Sequence, residues 1–292
     1  MDIDSQAVEV TKLSLLLKVL EGESEQTLNT TLRLFHERAL PDLGDNIKCG
    51  NSLIGDDFYQ DQQMSLLDDE ERFRINVFEW NAGFPEIMSA GGFDAVIGNP
   101  PYGYMIPEEE QAYFQDRYKY QDYQKDNYLL FMERALTLLV RKEGLFGMII
   151  PNPWLTNLLQ KNIRRLVTQH TSMLEIVHFR FRVFRQVTVD TEIIILRRAV
   201  PAASSTCTVH VADSVDQLDT VQSAPWTEII HKQEKWAELA GSVINIFLSP
   251  AETALAAKCL RAGVPLIELC NINVGIFQEP WLNRINYVAA NI

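Results

Sequence analysis

The sequence predicts an α/β fold: a mainly parallel sheet covered by helices on both sides, with ligands held at the carboxyl ends of its strands. Three observations carry that expectation. Leu145-Phe146-Gly147-Met148-Ile149-Ile150 is an unbroken apolar run stopped by Pro151, as in a strand buried on both faces. The segments flanking it, 126–142 and about 158–167, carry apolar residues at helical spacing. Another apolar run, Phe93-Asp94-Ala95-Val96-Ile97-Gly98, precedes this alternation, and strand-like stretches near 173–179 and 187–197 follow it.

In chain order, Asp2-Ile3-Asp4 leads into a helical pattern from about Ser5 to Leu20, with Val8, Leu15, Leu16, Val19 and Leu20 among its apolar positions. An acid followed by helix marks a strand-to-helix junction. Residues 21–44 read as polar helix with loops, after which Asn46-Ile47-Lys48-Cys49 resembles a short strand ending at Gly50-Asn51-Ser52-Leu53. The stretch from Gly55 to Gly92 is rich in Asp and Gln, has a charged run at 68–74, and reads as a surface insertion. Between Gly103 and Lys125, Tyr104, Tyr113, Tyr118, Tyr120 and Tyr123 either pack a loop or flank a nucleic-acid cleft, with packing the better-supported role.

Tyr128, Phe131, Met132, Ala135, Leu136 and Leu139 obey the i, i+3, i+4, i+7 rule, and Gly144 is the expected stop of that helix. Leu158, Leu159, Ile163, Leu166 and Val167 share one face of the next. Composition shifts at Pro201, where Ala, Ser and Thr replace the apolar runs. Ser249-Pro250-Ala251-Glu252 is a capping box with proline at the first helical position, and Gly263 with Pro265 closes the helix. The chain thus divides into a main domain at 1–198, a connector at 199–270 and a final piece at 271–292.

With 292 residues, 47% of them hydrophobic, the chain suffices for one large domain or one and a half. Its apolar runs fall far short of the ~18 residues that cross a bilayer, and its N-terminus reads as charged helix instead of signal peptide. A cytoplasmic protein with no membrane partner is expected. Cys49, Cys207, Cys259 and Cys270 form no C-x-x-C pair, which argues against structural zinc or a disulfide framework and for reduced core thiols. The formal charge of −13, from 26 Lys+Arg against 39 Asp+Glu, opposes the usual footprint of a DNA-binding protein. One stretch runs the other way. At 178–185, Arg180, Arg182 and Arg185 alternate with Phe179, Phe181 and Phe184, which suits phosphates and stacked bases, or an edge strand with a cationic outer face.

The most informative residues are Asn99-Pro100-Pro101-Tyr102, at the end of the 93–98 run. Each proline fixes φ and disfavours helix in the residue before it, so the chain must leave the strand in an extended turn. Neither proline has an N–H, so the turn offers carbonyl acceptors beside the Asn99 amide oxygen with no local donor. An exocyclic amine has two hydrogens to donate and a lone pair delocalised into its ring; two acceptors holding those hydrogens localise the pair for attack. Chance produces the tetrapeptide in roughly one chain per thousand of this length.

The tetrapeptide resembles the [DNS]-PP-[YFW] signature of S-adenosylmethionine-dependent methyltransferases acting on amino groups, in the form typical of N6-adenine DNA methylases. From Asp2 to about Arg198 the order of motifs resembles the γ arrangement of those enzymes, particularly the methylase part of single-chain type II restriction-modification and phage-defence proteins. The resemblance implies a Rossmann-like methyltransferase fold. It places Asp2 on the cofactor's ribose hydroxyls, with Asn51 and Ser52 in the turn that contacts its adenine. Asn99 and the Pro100 carbonyl would hold N6 of the target adenine, with Pro101 completing the corner. Tyr102 would stack on the base, and Phe184 of Val183-Phe184 would supply the second aromatic. The base must leave the duplex first, at a cost of a few kcal/mol. Asp126-Asn127-Tyr128-Leu129-Leu130-Phe131 resembles the helix bordering the cofactor site, with Asp126 equally readable as its N-cap.

One departure from that family stands out. The glycine-rich strand and loop that cradle the methionine end of the cofactor fall just before the segment beginning here at Met1, so the sheet is expected to lack its first strand and to carry a C-terminal extension. Weak or no cofactor binding by this chain alone is therefore expected. The implied activity is adenine-specific methylation of double-stranded DNA (EC 2.1.1.72), without metal. The partners are DNA, S-adenosylmethionine, and a missing N-terminal segment or a specificity domain begun at 271–292. Two alternatives stay open: a protein-glutamine or RNA-guanine N-methyltransferase, whose members share Asn-Pro-Pro-Tyr, and a catalytically silent DNA-binding fragment.

Overall fold

The computed structural model describes residues 1–21, 43–59, 69–103, 106–120, 126–184, 189–214, 226–264, 269, 271–274 and 288–291. They form two compact units, Met1–Ile244 and Asn245–Ile292.

The first unit is built on a six-stranded sheet: β1 (Phe93–Gly98), β2 (Val140–Pro151), β3 (Ser172–Phe179), β4 (Thr191–Arg197), β5 (Thr206–Ala212) and β6 (Thr227–Lys232). Their spatial order is β1-β2-β4-β3-β5-β6. β1 runs parallel to β2 and β3 parallel to β5, while β4 is antiparallel to both β2 and β3, and β6 to β5. Four strands thus share one direction, with β4 and β6 opposed. The carboxyl ends of β1, β2, β3 and β5 line one edge of the sheet.

Sequence pattern and structure agree for α1 (Ser5–Leu20), which Asp4 caps by accepting the Gln6 N–H at 2.8 Å. Its apolar positions pack less than the pattern implies: Val8 is buried, whereas Val10, Leu13, Leu15 and Leu17 are exposed. The strand read at 46–49 reduces to a single parallel bridge, Asp2 to Cys49, followed by another, Asn51 to Val77.

The expected surface insertion at 55–92 is partly core. Ile54, Phe58 and Ile75 join Leu53, Phe114, Tyr118 and Leu130 in one buried cluster, with Tyr113 packed against it. Tyr113 and Tyr118 lie on or just after α2 (Glu108–Arg117), so for these two the packing role holds. Tyr104 and Tyr123 lie outside the described residues.

The helix expected at 126–142 ends sooner. α3 (Asn127–Arg134) widens into one π-helical turn, Ala135–Leu139, and β2 begins at Val140. Arg198 replaces the expected glycine stop by donating to the carbonyls of Thr137, at 2.9 Å, and Val140. Gly144 lies inside β2, where a Cβ would come within 3.0 Å of the Asp94 carbonyl. α4 (Lys161–His170) buries Ile163, Leu166 and Val167, but Leu158 and Leu159 belong to the 3-10 turn before it and are exposed.

Three further expectations change. β1 is not the buried strand its apolar letters suggest: among the described residues it pairs with β2 alone, and Ile97 is 89% exposed. The segment read as a connector contributes β5 and β6, because Cys207, Val209 and Val211 alternate inward. Of the thiols, only Cys207 is buried, and its burial pushes its pKa up to about 12; Cys259 is exposed, and Cys270 lies outside the described residues.

In the second unit, the capping box forms as expected at the start of α5 (Pro250–Ala262): the Ser249 and Glu252 side chains each accept the other's backbone N–H. Asn271–Val274 and Val288–Asn291 pair antiparallel.

Candidate active site

β1 delivers Asn99-Pro100-Pro101-Tyr102 to the carboxyl edge of the sheet, one residue beyond the Gly98–Met148 pairing with β2. Pro100 is buried, Asn99 and Pro101 are exposed, and Tyr102 is partly buried, which raises its phenol pKa. The turn closes at Gly103, whose φ of +70° is the left-handed conformation open to glycine. The turn read from the sequence is therefore present, with Asn99 and Pro101 exposed.

Asp126 stands at the N-cap position of α3. Half-burial raises its carboxyl pKa, against the pull of the nearby backbone N–H groups of Gly103, Tyr128 and Asn127. One oxygen, Oδ1, is buried with no hydrogen-bond partner among the described residues. The sequence offered this residue as part of the helix bordering the cofactor site or as its cap; it occupies the cap position without a side-chain capping hydrogen bond.

Asp2, Asn51 and Ser52 come together. The Gly50 N–H donates to the Asp2 carbonyl at 2.9 Å, and Ser52 Oγ lies 3.4 Å from Met1 Sδ. The exposed Asp2 carboxylate accepts the Asp4 N–H, and Asn51 Oδ1 accepts the Leu53 N–H at 3.0 Å, an Asx turn that leaves the oxygen a second lone pair. Trp80 links this group to β1: its Nε1 donates to the Ser52 carbonyl at 3.1 Å, and its ring packs edge-on to Phe93 with centroids 6.0 Å apart. The next residues are tied to the helices after the Asn99–Tyr102 turn. Tyr118 Oη and Arg134 Nη2 both donate to the Leu53 carbonyl, each at 2.7 Å. An exposed carboxylate beside an amide acceptor fits a ribose diol and an adenine amino group, so these residues suit S-adenosylmethionine.

The Arg/Phe stretch divides by face. Phe179 is buried in a cluster with Val177 and Ala212, which takes it out of reach of a base, and the partly buried Phe181 packs edge-on to it at 5.6 Å. Nor is the stretch an edge strand: β3 ends at Phe179, inside the sheet, and 180–184 is loop. Arg180 pairs with Asp213 at 3.0 Å, Arg182 is exposed, Phe184 is partly buried, and Arg185 lies outside the described residues.

The loop after β2 completes this edge. Trp154 is fully buried and donates from Nε1 to Glu192 Oε1 at 3.0 Å; Glu192, on β4, is equally buried, and desolvation raises its pKa well above the carboxylate range. Arg164, also fully buried, donates to the carbonyls of Trp154 at 2.8 Å, Asn157 at 2.5 Å and Gly241 at 2.9 Å.

Relatives share parts of this chain. It is 30% identical over 206 residues to the type II restriction enzyme and methyltransferase RM.Eco57I of Escherichia coli, covering 68% of this chain and 18% of that protein. It is 37% identical over 81 residues to the type II methyltransferase M.PaeR7I of Pseudomonas aeruginosa, covering 27% of this chain and 14% of the relative. The chain thus spans under a fifth of the length of either. Among solved structures, the type IIG restriction endonuclease BpuSI aligns over 65% of this chain and 25% of its own at 15% identity, with a TM-score of 0.41. Residues 1–184, from the Asp2 carboxylate through the Asn99–Tyr102 turn to Phe184, match the model described as Eco57I restriction-modification methylase, and the chain belongs to that family.

Proposed function

We propose that this chain is the methyl-transferring part of a cytoplasmic enzyme that methylates adenine N6 in double-stranded DNA, within a restriction-modification or phage-defence system. The observation that carries the reading is the accessible, donor-free Asn99-Pro100-Pro101-Tyr102 turn at the carboxyl end of β1. Asn99 Oδ1 and the Pro100 carbonyl accept the two N6 hydrogens and localise the nitrogen lone pair, while Tyr102 stacks on the extruded base. Bound S-adenosylmethionine supplies an electrophilic methyl group. Asp2 holds its ribose, and Asn51 and Ser52 its adenine. Rate enhancement comes from positioning and electrostatics.

Phe184 is the second stacking ring in this reading. β1 and β3 are three strand spacings apart, ~14 Å, and the five-residue step from Phe179 to Phe184 spans up to ~16 Å, enough to return to the catalytic turn. Arg180, Arg182 and Arg185 meet phosphates from the same loop, and residues 271–292 begin a target-recognition domain. Among the described residues β1 pairs on one side only, which supports weak cofactor affinity in residues 1–292 because the described sheet ends beside the site. Micromolar affinity by calorimetry would count against that.

The test follows the methyl group. Residues 1–292 are incubated with methyl-labelled S-adenosylmethionine and with DNA, RNA or a release factor. Label is expected as N6-methyladenine in DNA and is lost in the Asn99→Ala/Tyr102→Ala double variant. Label in a protein glutamine or an RNA guanine overturns the assignment, as does adenine methylation that survives both substitutions.

A further inference from the structure

We propose that Tyr118 and Arg134 are positioning residues of the Asn51–Ser52 turn: by holding the Leu53 carbonyl they fix which way the Asn51 carboxamide faces, and so favour a 6-amino over a 6-oxo purine ligand. This deepens the methyltransferase reading and rests on it for the identity of the ligand.

The peptide plane joining Ser52 to Leu53 is held at both ends. Its carbonyl accepts from Trp80 Nε1 at 3.1 Å, and its N–H donates to Asn51 Oδ1 at 3.0 Å. The next plane carries the carbonyl of the buried Leu53, which accepts from Tyr118 Oη and from Arg134 Nη2, each at 2.7 Å. The two donors also bind each other. Tyr118 spends its one phenolic hydrogen on Leu53, so its oxygen is open to Arg134 Nε, which donates at 3.0 Å, while the guanidinium lies 5.4 Å from the ring centre. Both are set by the end of α3. The buried Glu133 accepts the Lys119 and Tyr120 N–H groups at 2.6 and 3.1 Å, which places the residue before them, and Arg134 is the last residue of the helix.

A carboxamide has an acceptor end and a donor end, and one that rotates freely can present either to a ligand. Here Oδ1 is drawn to the Leu53 N–H, which puts Nδ2 on the other branch of a partly exposed side chain. An adenine edge carries an N6 donor beside a ring-nitrogen acceptor, so the second lone pair of Oδ1 and an Nδ2 hydrogen match it. A 6-oxo purine sets an oxygen against Oδ1 and binds well only if the amide turns over, which would abandon the Leu53 N–H.

Residues 1–292 are prepared as wild type, Tyr118→Phe, Arg134→Met and the double variant. Hydrogen exchange is read at the Leu53 amide, with the Trp154 indole N–H, which bonds Glu192, as the control for global stability. Each single variant leaves the Leu53 carbonyl one donor and should speed Leu53 exchange less than about threefold; the double variant leaves neither and should speed it at least about tenfold. Tyr118→Phe/Arg134→Lys returns one donor and should restore the single-variant rate. Leu53 exchange within about twofold of wild type in the double variant overturns the proposal, as does equal acceleration at Leu53 and Trp154.

S-adenosylhomocysteine and its 6-oxo counterpart, S-inosylhomocysteine, are then titrated by ligand-observed NMR. The wild type should bind the 6-amino compound at least about tenfold more tightly, and the double variant should bring the two within about threefold. A double variant that keeps the whole preference overturns the proposal. Equal binding of the two compounds by the wild type defeats the cofactor reading of Asn51 and leaves the exchange experiment to decide what Tyr118 and Arg134 hold.

Discussion

Replacing Arg164 by methionine tests how the loop after β2 is held. The guanidinium is fully buried, faces no carboxylate among its described partners, and donates to three carbonyls: Trp154, Asn157 and Gly241. Burial lowers its pKa, yet a guanidinium keeps its charge in any folded protein. Methionine fills much of the volume but leaves the buried Trp154 carbonyl without its donor, at about 1–3 kcal/mol, while the part-buried carbonyls of Asn157 and Gly241 lose theirs at a smaller cost because water reaches them. The net loss should be about 2–3 kcal/mol, since no cation is then desolvated. At 2–4 °C per kcal/mol for a unit of this size, that is a fall of roughly 4–12 °C in Tm. Urea titration followed by tryptophan fluorescence reads the change, and Trp154 reports from the loop itself. Arg164→Lys should recover less than half, because one ammonium cannot serve three carbonyls spread over Trp154, Asn157 and Gly241. A loss below about 1 kcal/mol in Arg164→Met would refute the view that this cation organises the 152–157 loop.

Gly92→Ala should destabilise more than Gly91→Ala, although both glycines have positive φ, +116° and +97°. A Cβ on Gly92 would sit 2.4 Å from the Leu139 carbonyl, whereas one on Gly91 meets nothing within 4 Å. We expect a loss above about 3 kcal/mol for Gly92 and about 1–2 kcal/mol for Gly91 in chemical denaturation, and equal losses would contradict the packing argument. Glu192 should make stability pH-dependent. Its folded pKa is raised by burial, so above the unfolded value the native state holds a proton that the unfolded chain has released, and stability falls as pH rises toward the folded pKa. Glu192→Gln keeps an acceptor for Trp154 Nε1 but removes that proton. Its stability should fall less steeply than the wild type's above about pH 5, by up to about 1.4 kcal/mol per pH unit; parallel curves would show Glu192 ionised in both states.

Residues close in sequence were legible by themselves. The Asn99–Tyr102 turn, the Asp4 cap, the Ser249/Glu252 box and the limits of α1 depend on side chains a few positions apart, and all appear as read. The errors arise where a letter pattern has two spatial meanings. Phe179 and Phe181 could stack on bases or fill a core, and a cluster with Val177 and Ala212 decided for the core. The run 93–98 has the apolar letters of a central strand, yet among the described residues β1 pairs with β2 alone, which no residue within it records. Leu158 and Leu159 kept helical spacing with Ile163, but the chain turns before α4 begins.

The sequence by itself determined the backbone of the corner, because two prolines fix φ and withhold N–H groups at adjacent positions. Only the tertiary structure decided which distant groups surround it. Arg164 reaches Gly241 across 77 positions, and Trp80 reaches back 28 to Ser52. Such contacts exist once strands and helices have stacked, and a linear pattern holds no record of which distant carbonyl a buried donor will meet.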